Sequence, residues 1–187
     1  MTTQPTGTSR RSERTLTLVR HASAENVQDR SDHSRKLLSR GRKDAQAVGV
    51  WLSRSPLAAE LDLALCSTSE RTRQTLDNIR AGGASVKDAR FDDRIYNASA
   101  VGLLEVLREV PDSVSSLLMV GHAPGIPVLA TALAREDPAS TEVMDQLSLA
   151  YPTSGVAILG FDGPWAELAP EAAYLMEFAV PRAESER

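Results

Sequence analysis

Thr15-Leu16-Thr17-Leu18-Val19-Arg20-His21 is the stretch that decides the fold. A short apolar run reads as a buried strand, and it ends by delivering a guanidinium and an imidazole together. In α/β proteins ligands bind at the carboxyl ends of the strands, so a charged pair at such an exit points to a site. A second run, Leu117-Leu118-Met119-Val120, ends at Gly121-His122-Ala123-Pro124-Gly125. The chain holds only three histidines, and two of them stand at matching strand exits. His21 and His122 are therefore expected to share one site.

Composition bounds the rest. The chain has 187 residues, 42% hydrophobic and 25% charged, the balance of an ordinary globular protein long enough for one sizeable core. A net charge of −4 argues against a polyanion as the main partner, so no nucleic acid is expected. Cys66 is the single cysteine, which leaves no disulfide framework and no thiolate metal cluster and fits a reducing compartment. No apolar stretch approaches the roughly 18 to 20 residues that span a bilayer. Residues 1–13 are rich in Thr, Ser and Arg but lack an apolar core segment, so they read as a disordered tail and not as a signal peptide. The expectation is a cytoplasmic monomer, with one domain over residues 14–181 and a C-terminal tail over 182–187.

Strand-like and helix-like patterns alternate through most of the chain. This favours an α/β three-layer sandwich, a mostly parallel central sheet with helices on both faces and an antiparallel C-terminal portion. After the first strand comes a polar loop, residues 24–35. Ser39 reads as a helix cap, with Ala45, Val48, Gly49 and Leu52 at helical spacing and Pro56 beyond. Residues 61–66 form the second expected strand, Ser67-Thr68-Ser69 offers caps for a helix to about Arg80, and Gly82-Gly83 stops it. Residues 86–91 suit a short edge strand, and Ser99 precedes a helix striped by Leu103, Leu104, Leu107 and Val110. Pro124 suits a helix start, and Val128, Leu129, Ala132 and Leu133 follow it. Residues 135–152 fit a helical turn or an irregular loop. Residues 154–161, 165–168 and 173–180 read as extended, with a turn at Asp162-Gly163-Pro164.

Arg20, His21, Arg71 and His122 come from three strand-to-helix junctions and could converge on a tetrahedral dianion. Arginine suits that task, because its planar fork donates paired hydrogen bonds to phosphate oxygens and keeps its charge at physiological pH. A neutral histidine can attack phosphorus through one ring nitrogen while the other is oriented by a hydrogen bond. Cations around it would bind the phosphoryl group and stabilise charge on its equatorial oxygens.

These residues resemble the histidine phosphatase (phosphoglycerate mutase-like) superfamily, and within it the short phosphohistidine phosphatases of SixA type. Arg20-His21-Ala22 is similar to the family's Arg-His-Gly. The stretch from Ser67 through Arg71 to Thr75 resembles its Ser-x-x-x-Arg-x-x-x-Thr element, and Val120-Gly121-His122-Ala123-Pro124 resembles its second-histidine motif. Arg35-Lys36-Leu37-Leu38-Ser39-Arg40-Gly41 is similar to the short branch's Arg-Pro-Leu-x-x-x-Gly, with lysine in place of proline. The resemblance spans residues 15–181. It implies a phosphohistidine intermediate on His21, with Arg20, Arg71 and His122 gripping the phosphoryl group, Arg35 and Ala123 adding substrate contacts, and no metal or other cofactor. Asp92-Asp93-Arg94-Ile95-Tyr96 resembles the segment where relatives carry Glu-Arg-x-Tyr, which makes Asp93 the candidate general acid with Asp92 behind it. The implied partner is a phosphorylated small molecule or a phosphohistidine protein.

Other readings stand beside this one. The same residues could form a phospho-ligand binding module without turnover, or a phosphomutase of the same superfamily. A zinc hydrolase using both histidines fares worst, since few further ligands are evident and two arginines would repel the cation. His33 reads as exposed and idle between Asp32 and Ser34, Cys66 as a small buried hydrophobe, and Trp51 and Trp165 as packing residues.

Overall fold

A computed structural model describes residues 14–26 and 31–184, apart from the side chain of Ala139. The tail expected at residues 1–13 lies outside the described residues. In chain order the strands are β1 (Arg14–Arg20), β2 (Glu60–Ser67), β3 (Ser85–Asp92), β4 (Ser116–Gly121), β5 (Val156–Phe161) and β6 (Tyr174–Ala179). The helices are α1 (Ser39–Arg54), α2 (Glu70–Ala81), α3 (Ala100–Arg108), α4 (Gly125–Leu133) and α5 (Thr141–Leu149).

The strands form one six-stranded sheet in the order β3-β2-β4-β1-β5-β6. The first four in that order run parallel, and β5 is antiparallel to both β1 and β6. Strands covered on both faces read as continuous apolar runs, and β1 and β4 show why. Leu16 and Leu18 of β1 and Leu117 and Met119 of β4 enter a core with α3 and α4. Val19, Leu118 and Val120 point the other way, to Val48 and Leu52 of α1 and Leu76 and Ile79 of α2. The expected mixed sheet with helices on both faces is the observed one.

Register is what positions the site. Val19 pairs with Val120 and Arg20 with Gly121, while Cys66 of β2 also pairs with Val120. The ends of β2, β4 and β1 therefore lie side by side, and Ser67, His122 and His21 leave the sheet as neighbours. The His21 amide donates to the Gly121 carbonyl at 2.9 Å, extending the ladder one residue into the site.

Several local expectations need adjustment. Ser39 is the first helical residue of α1, with Leu38 at the cap position, so it does not cap the helix. Ser99 does cap α3, accepting from the Gly102 amide. Residues 135–152 contain α5, preceded by a short 3-10 turn at Pro138–Ser140. Trp165–Glu167 is a 3-10 turn and not extended, because Trp165 is fully buried and its indole N–H donates to the Val114 carbonyl at 2.7 Å. Of the C-terminal segment, residues 182–184 are described and tied to the body. Arg182 donates to the Thr153 carbonyl, and the Ala183 amide to the buried Asp44 carboxylate.

Candidate active site

The nine residues from Ser67 to Thr75 show how one motif builds three parts of a site. Ser67 ends β2, and its hydroxyl lies 2.9 Å from His122 Nε2. Four residues on, in the first turn of α2, Arg71 reaches His122 Nδ1 with Nη2 at 3.2 Å. One helical turn later Thr75 Oγ1 accepts the Ala22 amide at 3.0 Å and donates to the Arg71 carbonyl at 2.7 Å. The four-residue spacing puts Arg71 and Thr75 on one helix face. That face looks at the strand exits carrying both histidines.

His21 and His122 meet with ring centroids 5.2 Å apart. His21 Nδ1 lies 2.8 Å from its neighbour's carbonyl, Ala22 O. A carbonyl only accepts, so this nitrogen carries the proton and Nε2 keeps a lone pair. His122 is the reverse. Arg71 can only donate, so His122 Nδ1 accepts and Nε2–H donates to Ser67.

Charge reinforces this arrangement. Burial lowers the His21 pKa to about 4, with the guanidiniums of Arg71, Arg20 and Arg35 also acting against protonation. His122 is lowered to about 3 by burial first, then by His21 and Arg71. Both imidazoles are neutral at pH 7. Arg20 donates through Nη1 to the Tyr151 carbonyl at 2.9 Å, and burial lowers its pKa as well. The Nε atoms of Arg20 and Arg71 are buried without a hydrogen-bond partner among the described residues. Buried guanidinium nitrogens left unpaired are donors in want of an acceptor.

Residues 31–35 lie against this group. Asp32 Oδ2 accepts from Arg71 Nη2 at 2.9 Å and from the Tyr96 hydroxyl at 2.6 Å, and Oδ1 accepts from Arg35 Nη1 at 2.9 Å. Arg35 Nε also donates to the Glu25 carbonyl. The Tyr96 hydroxyl, then Arg35 and Arg71, hold the Asp32 carboxyl well below the usual carboxylate range. Tyr96 sets its ring edge-on to His122 at 5.5 Å and to His33 at 4.9 Å.

The expected residues thus fall as follows. Arg20, His21, Arg71 and His122 are brought together, and Arg35 joins them through Asp32. Ala123 is exposed immediately beyond His122, joined to Pro124 by a cis peptide bond. Asp93 lies at the rim, where it accepts from the Thr68 hydroxyl at 2.5 Å. Asp92 turns away, since its carboxylate caps the following turn and pairs with Arg94. His33 is exposed, as expected, but it has partners. Thr68 spends its one proton on Asp93, so His33 Nε2, 3.0 Å away, donates to Thr68. Asp32 and Tyr96 are site residues that neither spacing nor the family resemblance assigns. Their only signal was position, Asp32 three residues before Arg35 and Tyr96 closing the quoted Asp-Asp-Arg-Ile-Tyr segment. Cys66 is buried with its thiol pushed up to about 12 by burial, consistent with packing.

Gly41 explains the glycine of the Arg-Lys-Leu-Leu-Ser-Arg-Gly segment. A Cβ there would stand 2.1 Å from the Ser23 carbonyl oxygen, so only glycine lets α1 approach the chain two residues past His21.

Comparison with known proteins gives a consistent picture. Residues 16–118 match the family model of the histidine phosphatase superfamily, branch 1. An uncharacterized protein of Mycobacterium tuberculosis (strain H37Rv) is 38% identical over 164 residues, covering 88% of this chain and all of that one. Among solved structures, SixA of Nakamurella multipartitia, a candidate phosphohistidine phosphatase, is 36% identical with a TM-score of 0.77, over 90% of this chain and 96% of that one. The corresponding SixA protein of Agrobacterium tumefaciens is 25% identical with a TM-score of 0.72, over 90% and 98%. Among the described residues no helix is long and apolar enough to cross a membrane.

Proposed function

The chain belongs to the histidine phosphatase superfamily, in its short SixA-type branch, and from that premise we propose that it hydrolyses phosphohistidine or a small phosphomonoester through a phosphoryl adduct on His21. The observation that carries the reading is the His21 tautomer. Nδ1–H is committed to Ala22 O, so the lone pair of a neutral imidazole remains on Nε2. Three guanidiniums lie close enough to depress its protonation, and the same charges would stabilise a phosphoryl group in flight.

In this mechanism His21 Nε2 forms a bond to phosphorus as the bond to the leaving atom breaks. Asp93 delivers a proton to that atom, and its hydrogen bond from Thr68 supports a position at the rim. Water then attacks phosphorus, the N–P bond breaks, and the water's proton returns to Asp93. Arg20 and Arg71 grip the equatorial oxygens, with Arg35 and the Ala123 amide as further contacts, and His122 holds the Arg71 guanidinium in place through Nδ1. The arginines supply the positive charge, so the reading involves no metal.

The test is direct. Incubation with a radiolabelled phosphodonor should give an acid-labile, alkali-stable phosphoenzyme that His21→Ala abolishes, together with release of phosphate that a chelator leaves unchanged. An adduct that survives His21→Ala removes the nucleophile assignment. Saturable binding with no phosphate released would make the protein a binding module. Assaying a phosphohistidine peptide against a panel of phosphomonoesters then ranks the two substrate classes.

A further inference from the structure

Asp32 stands where the proposed chemistry would put an anion. Its two carboxylate oxygens take hydrogen bonds from Arg71, Arg35 and Tyr96, and its main-chain carbonyl takes a second one from Arg71 at 2.6 Å. The Arg71 nitrogen that meets Oδ2 is the one that meets His122 Nδ1. The carboxylate is therefore one nitrogen away from the second histidine. Beneath it the Arg71 side chain is only 4% exposed, whereas the Asp32 side chain is 46% exposed. The terminal nitrogens of Arg71 are thus already engaged, by Asp32 and by His122. Both N–H bonds of Nη2 are taken, by Asp32 and His122, so an incoming phosphoryl group can pair with Nη2 on this face only by taking the place of the Asp32 carboxylate.

We propose that Asp32 is the resident anion of this site, an intramolecular competitor that the phosphoryl group of the substrate displaces and that in turn displaces inorganic phosphate after hydrolysis. The inference rests on the phosphoryl-pocket reading above. The exchange is chemically balanced in the substrate's favour, because a single negative charge leaves two guanidiniums and a dianion replaces it. It requires little of the fold. Asp32 opens a three-residue 3-10 turn outside every helix and strand, with none of its residues buried. The effect falls equally on the ground state and the transition state, so Asp32 sets how tightly phosphoryl groups are held, not how fast the bond breaks. A carboxylate that occupies the position nine times in ten lowers apparent affinity about tenfold.

Calorimetric titration of the intact protein with inorganic phosphate tests this without any need for turnover. Asp32→Asn keeps the size and removes the charge, and it should bind phosphate about tenfold more tightly than the parent chain. Asp32→Ala should bind at least as tightly as Asp32→Asn. Equal or weaker binding by both variants overturns the inference and makes Asp32 a residue that positions Arg71. Tighter binding in a protein that hydrolyses no phosphohistidine peptide or phosphomonoester would support the resident anion while removing the hydrolase. Hydrolysis by the parent chain with no gain in phosphate binding by the variants would do the opposite. If phosphate binds none of the three proteins, the inference falls together with the pocket.

Discussion

His21 and His122 face each other across 5.2 Å with their ring planes inclined at 59°, and they carry their protons on opposite nitrogens. The difference comes from their partners. A carbonyl fixes the proton of one ring, and a guanidinium fixes the lone pair of the other. A nucleophile and a hydrogen-bond donor are thereby made from the same side chain.

Both imidazoles should stay neutral well below the ordinary histidine range. Their folded pKa values are depressed, so between about pH 6.5 and pH 4 the unfolded chain holds more protons and stability falls as pH drops through that window. Moving from pH 7 to pH 5 should cost on the order of 2 kcal/mol for each histidine, less for whatever part solvent screens. Nuclear magnetic resonance of the ring protons should show His21 and His122 unmoved from pH 8 to pH 5. A midpoint near 6.5 for either ring would overturn the assignment.

Thr75→Val removes the acceptor of the buried Ala22 amide while keeping the shape of the side chain. An orphaned buried N–H costs about 1 to 3 kcal/mol, which urea denaturation would read. Activity should fall with it, because Ala22 also holds His21 Nδ1. Thr75→Ser should recover most of both losses.

Ser67→Ala frees His122 Nε2 while leaving Arg71 on Nδ1. The ring then loses one of its two anchors, and misplacement of this kind costs up to about a hundredfold in rate. The loss should fall on kcat more than on KM. Unchanged kcat in a folded variant would mean that Ser67 does not orient the ring.

Gly41→Ala forces α1 and the Ser23 backbone apart, since the new Cβ would sit 2.1 Å from a carbonyl that cannot rotate away. Overpacking of this kind costs about 1 to 3 kcal/mol, and the displaced chain lies two residues from the proposed nucleophile. Thermal denaturation should show a lowered midpoint together with reduced turnover. A variant as stable and as active as the parent would exclude the close approach.

How much of this was legible in the chain depends on whether contacts are local. Arg20-His21 and His122 could be placed because each directly follows a buried strand, and the register of β1 with β4 brings such ends level. Ser67, Arg71 and Thr75 are one strand end and one helix face, so spacing alone aligns them. Asp32 and His33 meet Tyr96 from a segment distant in sequence and outside every α-helix and strand, and no periodicity encodes that. Helix α5 was ambiguous because its apolar stripe is thin. Only Leu147 is fully buried in it, while Leu149 is 85% exposed. At Trp165 and Leu168, two buried residues three apart fit a 3-10 turn, whose side chains eclipse at that spacing, better than an alternating strand.

The tie between Arg20 and Tyr151 also has a bearing on the order of synthesis. The Tyr151 carbonyl steadies the Arg20 guanidinium, the Tyr151 hydroxyl donates to Leu18 at 2.8 Å, and the Ser154 amide donates to the Arg20 carbonyl. A nascent chain that has already displayed every motif through Pro124 still lacks all three of these bonds. The arginine that ends the first strand is therefore fixed only once residues 151–154 have been made and have folded back onto it.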